Sequence, residues 1–444
     1  MTSTTVRRPI DEATIAGLGE AVARNPRVEV LKTWRDLLTG ELSWDGFHAR
    51  TLVERRLTYL TVDTTAACDL TCPGMCYYHP DIKINVRQMS ERSLFEAIGT
   101  AFSKLDLRDL IVVGKEPFLN PQRLFAILDF ASGVKTPGAR VGLVTNGRNV
   151  ALHLHDLQDR SDAGSLDFID FSIDSGYEVE HDAIRGVPGT FAKAFSALSA
   201  CAESLASTRV GVTSVIRQKN QAGLIELLRR GYAASIRNFC FVPIQPPPFT
   251  ITPAVQAIDL VSFFAEVWRI LESELAGASL EVLASLNGLT MLECVQHGFL
   301  KWEDLEEDEF GQIYCIRQIA GNTLIFNFAV IPDYGHRLAR ITHKGDYLAH
   351  AHFLQTQDPS AYATGNIESE AIEVLHHRAK QEYFLQIIQS RKHHACSDKP
   401  CWGNCFGGWT IAEHSLLNGQ TLIEKPRLCG KTASDFRMLE GKAG

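Results

Sequence analysis

The sequence predicts an α/β protein built on a parallel sheet, because short β-branched runs recur along the chain and a helix-like stretch follows each. The runs are 57–63 (LTYLTVD), 110–114 (LIVVG), 141–145 (VGLVT), 168–173 (FIDFSI), 210–216 (VGVTSVI) and 239–244 (FCFVPI). Helix-like stretches lie near 90–105, 121–132, 149–158, 190–206 and 221–233. Strands joined by helices in this alternation imply parallel pairing with right-handed crossovers.

Ahead of the first strand, 11–55 carries apolar residues at helical spacing, so 1–55 is expected to be a helical N-terminal segment. The sixth strand runs into Pro246-Pro247-Pro248, which neither continues a ladder nor starts a helix smoothly. The core is therefore placed at 56–250, with 251–444 as a C-terminal extension. Within that extension 254–298 reads as helical. GQIYC (311–315) and TLIFNFAVIPDYGHRLARIT (323–342) read as short strands with a turn at Asp333-Tyr334-Gly335, and 367–392 as a helix.

The 444 residues are 45% hydrophobic and 22% charged, a composition of soluble globular enzymes and not of disordered chains. A net charge of −8 argues against a nucleic-acid partner, since phosphate neutralisation needs clustered Lys and Arg. No apolar run reaches the roughly 18 residues of a membrane span, and the N-terminus lacks a signal-peptide core. A cytoplasmic protein with no membrane partner is expected. Its eleven cysteines are then poor disulfide candidates. Three crowd into 68–76 and three into 396–405, which points to metal ligands.

The first group, Cys68, Cys72 and Cys76, has C-x3-C-x3-C spacing just after the first strand, where parallel α/β folds place ligand loops. Three thiolates fill three corners of a [4Fe–4S] cluster and leave one iron open. The alternative is a closed zinc site completed by His79. The second group is Cys396, Cys401 and Cys405. A structural zinc site is its alternative, with His393 and His394 close by.

Further motifs follow in order: Gly114-Lys115-Glu116-Pro117 after strand two, Thr145-Asn146-Gly147 after strand three, and Ser172-Ile173-Asp174 after strand four with Arg185 beyond. Behind a three-cysteine loop this series resembles the radical S-adenosylmethionine (SAM) superfamily over roughly residues 55–250. The resemblance implies a partial (β/α)6 TIM-type barrel, a SAM-binding [4Fe–4S] cluster on the three cysteines, and SAM as cosubstrate. It also implies cofactor contacts from Met75 or Tyr77 at the adenine and from Gly114, Lys115, Glu116 and Pro117 at the methionine amine. Thr145 and Asn146 join them, and Ser172 and Arg185 match positions that hold the methionine carboxylate. The sequence departs from the family in two places. Its loop has one residue more than the usual C-x3-C-x2-C, and Lys115 replaces the second glycine of Gly-Gly-Glu-Pro.

The second group resembles the SPASM extension of the same superfamily, a twitch-like auxiliary-cluster domain. It implies one auxiliary [4Fe–4S] cluster on Cys396, Cys401, Cys405 and Cys429, with Trp409 where the run's last cysteine would stand. Cys315 is read as a packed core cysteine.

The C-x3-C-x3-C loop further resembles radical SAM dehydratases of the apramycin pathway. That implies removal of the 3′-hydroxyl of an amino sugar of the paromamine type, in antibiotic biosynthesis. An electron donor of flavodoxin or ferredoxin type and an NADPH-dependent reductase acting on the product are the implied partners. Asp174, Glu178 and Asp182 are acid/base candidates by position, just past strand four. Two other readings stay open: a SPASM-type peptide maturase and a non-catalytic zinc-binding protein.

Overall fold

A computed structural model of the protein describes residues 29–39, 41–73, 88–244, 260–308, 311–329, 337–349 and 358–384, with Gly17, Glu20, Val22, Cys76, Tyr78 and Leu354 besides. Strands β1 (Tyr59–Asp63), β2 (Asp109–Val113), β3 (Arg140–Thr145), β4 (Phe168–Ser172), β5 (Arg209–Ile216) and β6 (Asn238–Pro243) pair in parallel in chain order. Each overlaps one β-branched run of the sequence. Helices Glu91–Lys104, Pro121–Val134, Leu154–Asp162, Thr190–Ser204 and Gln221–Ala233 make the crossovers. An additional short helix, Glu178–Arg185, follows β4; Glu178 and Glu180 occupy its first turn and Gly186, at φ 76°, ends it.

The sheet continues across residue 250. β7 (Glu281–Asn287) pairs in parallel with β6, and β10 (Asn322–Ala329) with β7. β9 (Ile313–Ile319) and β8 (Glu306–Glu307) add antiparallel strands at that edge. At the other edge β11 (Leu338–Ile341) lies parallel to β1, followed by β12 (Asp346–Leu348) and β13 (Gly365–Asn366). The result is an α/β fold with a parallel sheet, a TIM-type partial barrel. β7 corrects the helical expectation for 254–298. Its residues EVLASLN carry a single β-branched side chain, and parallel pairing with β6 and β10 overrides local preference.

Register sorts the side chains into two faces. Leu60, Val62, Leu110, Val112, Leu143, Ile169 and Phe171 are fully buried on the helix-covered face. On the opposite, concave face Thr61 lies beside Ile111 and Arg340, and Asp63 beside Val113. Asp170 and Ser172 of β4 lie beside Gly211 and Thr213 of β5, and Thr213 beside Cys240 of β6. At the N-terminal ends of the strands charges are matched. Asp109 receives Arg140 Nε at 2.7 Å, Arg140 Nη2 at 2.8 Å and Arg108 Nε at 3.0 Å. Midway along β4, Asp170 receives Nη2 of Arg209, the first residue of β5, at both oxygens.

The last described segment returns to the first. Helix Ile372–Arg378 continues into a π turn, Ala379–Phe384. There the buried Lys380 ammonium donates to the Glu54 and Thr51 carbonyls beside helix Trp44–Val53. Burial pulls the Lys380 ammonium down to about 8. Among the described residues no helix is long and apolar enough to cross a membrane.

Candidate cluster and cofactor site

The loop after β1 is held from both sides. Beyond the sheet, Thr64 N–H donates to the Val113 carbonyl, Lys115 N–H to Thr65 and Glu116 N–H to Ala67, at 2.9 to 3.1 Å. This extension of the ladder needs Gly114. Its φ is +147°, and a Cβ there would lie 2.7 Å from the Thr65 carbonyl oxygen. At the far side Thr71 and Cys72 donate N–H groups to the Arg185 carbonyl at 3.3 and 3.0 Å, and Thr71 Oγ1 donates to Gly186. The helix end after β4 therefore fixes the middle cysteine. Cys68 and Cys72 are half-buried and Cys76 is exposed.

Glu116, with no solvent exposure, organises the next layer. Its carboxylate accepts from Thr145 Oγ1 at 2.7 Å, from Asn146 N–H at 2.8 Å and from Phe118 N–H at 3.1 Å. Burial pushes its carboxyl up to about 7, against the pull of these three donors. Asn146 then reaches back: its Nδ2 donates to Asp69 Oδ1 at 2.8 Å, Asn149 Nδ2 donates to Asp69 Oδ2 at 3.2 Å, and Arg148 Nη1 to the Asp69 carbonyl at 2.8 Å. Thr145 and Asn146, expected at the cofactor, thus contact Glu116 and the cysteine loop. Asp69, between the first two cysteines, is the tie that sequence reasoning missed. Pro117 opens the 3-10 turn that follows, and the Lys115 ammonium lies 5.5 Å from the centre of the Tyr78 ring.

Past β4, Asp174 is fully buried. Its Oδ1 accepts from Val215 N–H at 2.9 Å, its N–H donates to His181 Nδ1, and its carbonyl accepts from Asn220. Oδ2 lies 2.9 Å from Arg185 Nη2, an ion pair without hydrogen-bond alignment. Asp174 therefore orients Arg185, whose charge in turn favours the thiolate of Cys72. Asp182 accepts from the Gly189 and Phe191 N–H groups at 2.5 and 2.8 Å, tying down the next helix start. Glu178 is exposed in its helix's first turn. Ser172 is half-buried at the end of β4. Arg217, just beyond β5, is an unforeseen neighbour: it feels the charges of Asp174, Arg185 and Cys72, and its Nε and Nη2 have no hydrogen-bond partner.

Burial raises both Cys68, to about 12, and Cys72. A buried thiol of this kind is deprotonated when a metal takes the proton's place. The donor set, three soft sulfurs on one anchored loop, fits an iron–sulfur cluster. Among the described residues no three His, Cys, Asp or Glu side chains converge on a single-ion site; cluster ligands each take a different iron and do not require it. Met75, Tyr77 and His79 lie outside the described residues, as do Cys396, Cys401, Cys405, Cys429, His393 and His394. Cys315 is fully buried in the core, as is Cys294.

Residues 62–230 match the radical SAM superfamily. The match runs from the end of β1 through β5, together with the cysteine loop, the Gly114–Pro117 segment, Thr145, Asn146 and Arg185. Two solved structures have a similar fold. Streptococcus suis SuiB bound to precursor peptide SuiA shares 14% identity at a TM-score of 0.56, covering 82% of this chain and 74% of that one. Native anSMEcpe with bound AdoMet and Cp18Cys peptide shares 15% identity at a TM-score of 0.55, covering 86% and 96%. No curated protein matches the sequence. A radical SAM domain implies a [4Fe–4S] cluster and SAM; Cys68, Cys72 and Cys76 can hold the cluster. When bound, the pair supplies a 5′-deoxyadenosyl radical by reductive cleavage of SAM.

Proposed function

We propose that the chain is a radical SAM enzyme that dehydrates an amino sugar, taking the hydroxyl next to a carbinol carbon, as at C3′ of paromamine. The observation that carries the reading is the chemistry of the concave face. By register Thr61, Asp63, Ser172 and Thr213 line one surface at the level of the cysteine loop and below it. Three hydroxyl side chains in that density suit a polyhydroxylated ligand. Loss of a hydrogen atom from the carbinol carbon and of a proton from its hydroxyl leaves a ketyl radical. That radical expels the neighbouring hydroxide, and one electron with one proton then gives a ketone. The chain's own residues need only take and return protons and hold the sugar; the radical chemistry belongs to the cofactor.

In this reading Cys68, Cys72 and Cys76 ligate the cluster. Gly114, Lys115, Glu116 and Pro117 present backbone to the methionine amine, and Ser172 and Arg185 receive its carboxylate. Cys396, Cys401, Cys405 and Cys429 carry an auxiliary cluster. A flavodoxin- or ferredoxin-type protein delivers the electron, and a reductase consumes the ketone.

The test is mass spectrometry of an aminoglycoside panel incubated anaerobically with reconstituted enzyme, SAM and reductant. Loss of one water is expected, with one deoxyadenosine per product and solvent deuterium at the carbon that lost its hydroxyl. The peptide-maturase reading draws support from the peptides bound in the SuiB and anSMEcpe structures. It prevails if the panel is unchanged while a peptide encoded nearby is modified. Zinc without iron or sulfide in anaerobically purified protein ends both readings.

A further inference from the structure

A polar group at the C-terminal ends of β1 and β11 holds Tyr78, just past the cysteine loop, and still keeps buried atoms idle. Asp63, the last residue of β1, is fully buried. Its Oδ1 accepts from Arg340 Nη2 at 2.5 Å, and the same nitrogen lies 2.7 Å from the Tyr78 hydroxyl. The Arg340 guanidinium stands 5.3 Å from the centre of the Tyr78 ring. His343, two residues past β11, is only 4% exposed.

Within this group Asp63 Oδ2, Arg340 Nε and both ring nitrogens of His343 are buried without a hydrogen-bond partner. Buried polar atoms are normally satisfied, and several unsatisfied ones in one place mark where a ligand completes the set. The place is also right. Asp63 precedes the cysteine loop directly, Tyr78 follows it, and Lys115, over the Tyr78 ring, comes from the segment that anchors it.

The available atoms define the ligand. Asp63 offers an acceptor and Arg340 a donor, and their charges cancel. Burial lowers the His343 imidazole, against Asp63 and Asp346 and together with Lys344 and Arg123. The neutral ring offers one donor and one acceptor. A neutral group that both donates and accepts, such as a pair of hydroxyls, matches this set better than an ammonium, an anion or an apolar group.

We propose that Asp63, Arg340 and His343 form a substrate-anchoring subsite that takes neighbouring hydroxyls of a polyhydroxylated substrate beside the radical source. The subsite rests on the amino-sugar reading and deepens it.

Reconstituted wild-type enzyme, His343→Phe, His343→Gln and Asp63→Asn are compared with paromamine as probe. The His343 ring has no hydrogen-bond partner to lose, so its variants test the subsite even where Asp63→Asn fails to fold. SAM cleavage by dithionite without sugar should stay within about twofold of wild type in the His343 variants. KM for paromamine should rise about tenfold or more in His343→Phe, with the larger part recovered in His343→Gln, which keeps a donor and an acceptor. A wild-type KM in both His343 variants, with the sugar turned over, overturns the subsite and leaves the amino-sugar reading standing. No sugar-dependent product from wild type across the aminoglycoside panel overturns both.

Discussion

The two ends of the sheet treat buried charge in opposite ways. At the N-terminal end Asp109 has both oxygens engaged by Arg108 and Arg140, and midway along β4 Asp170 presents both of its oxygens to Arg209, the first residue of β5. At the C-terminal end Asp63 and Asp174 each keep a buried oxygen without a hydrogen bond, and Arg217 and His343 keep donors or acceptors idle. Buried polar atoms are normally satisfied, so such a group beside the cysteine loop marks where something else can meet it; at the other end Thr58 Oγ1 is a further unsatisfied atom. The division agrees with the general rule for parallel barrels, in which stability lies at one end of the strands and chemistry at the other.

The largest expected effect comes from removing the sulfurs at the open end. Changing Cys68, Cys72 and Cys76 together to Ala should remove roughly four irons per chain and abolish deoxyadenosine formation. The melting temperature of the cluster-free protein should hardly move, since none of the three is a core residue. Deoxyadenosine from that variant would break the contrast outright.

At the closed end, Asp109→Asn leaves two arginines facing a neutral amide. Urea unfolding should show a loss of about 4 kcal/mol, the cost of breaking a buried ion pair. SAM cleavage per folded molecule should be unchanged. A variant that cleaves SAM poorly while unfolding normally would show that the two ends are not separable.

A smaller effect lies in pH. The folded Glu116 carboxyl titrates near 7, above the usual value of about 4.3 for a free chain. Its protonated form therefore favours folding at low pH. That contribution is full below about pH 4 and is lost as pH rises through 7, up to about 3 kcal/mol in all. Thermal melts of the cluster-free protein should show this slope, and Glu116→Gln should remove it. An identical slope in the variant would place the titrating group elsewhere.

Much of this was legible in the sequence. The six central strands announce themselves by β-branched runs, the cysteine loop by spacing, and Glu116 by a motif that resembles the family's Gly-Gly-Glu-Pro. β7 was hidden because its partners, β6 and β10, are non-local and its own residues are not strand formers. Helix Glu178–Arg185 was missed although Gly186 marked its end. Asp174, Glu178 and Asp182 follow β4 in sequence, yet the first is sealed against Arg185, the second faces solvent and the third ties a helix start. Proximity along the chain did not distinguish them. Asp63 and Arg340 pair across 277 residues, and no local pattern encodes a partner so distant.

That distance also shapes how the chain is made. β1 is flanked by β2 on one side and by β11 on the other, so until Leu338–Ile341 leave the ribosome one edge of β1 has no neighbour. At bacterial and eukaryotic elongation rates of about 5–20 residues per second, that interval lasts on the order of tens of seconds. Throughout it the nascent chain presents an unpaired strand edge carrying Tyr59, Thr61 and Asp63, a surface able to pair with the wrong chain.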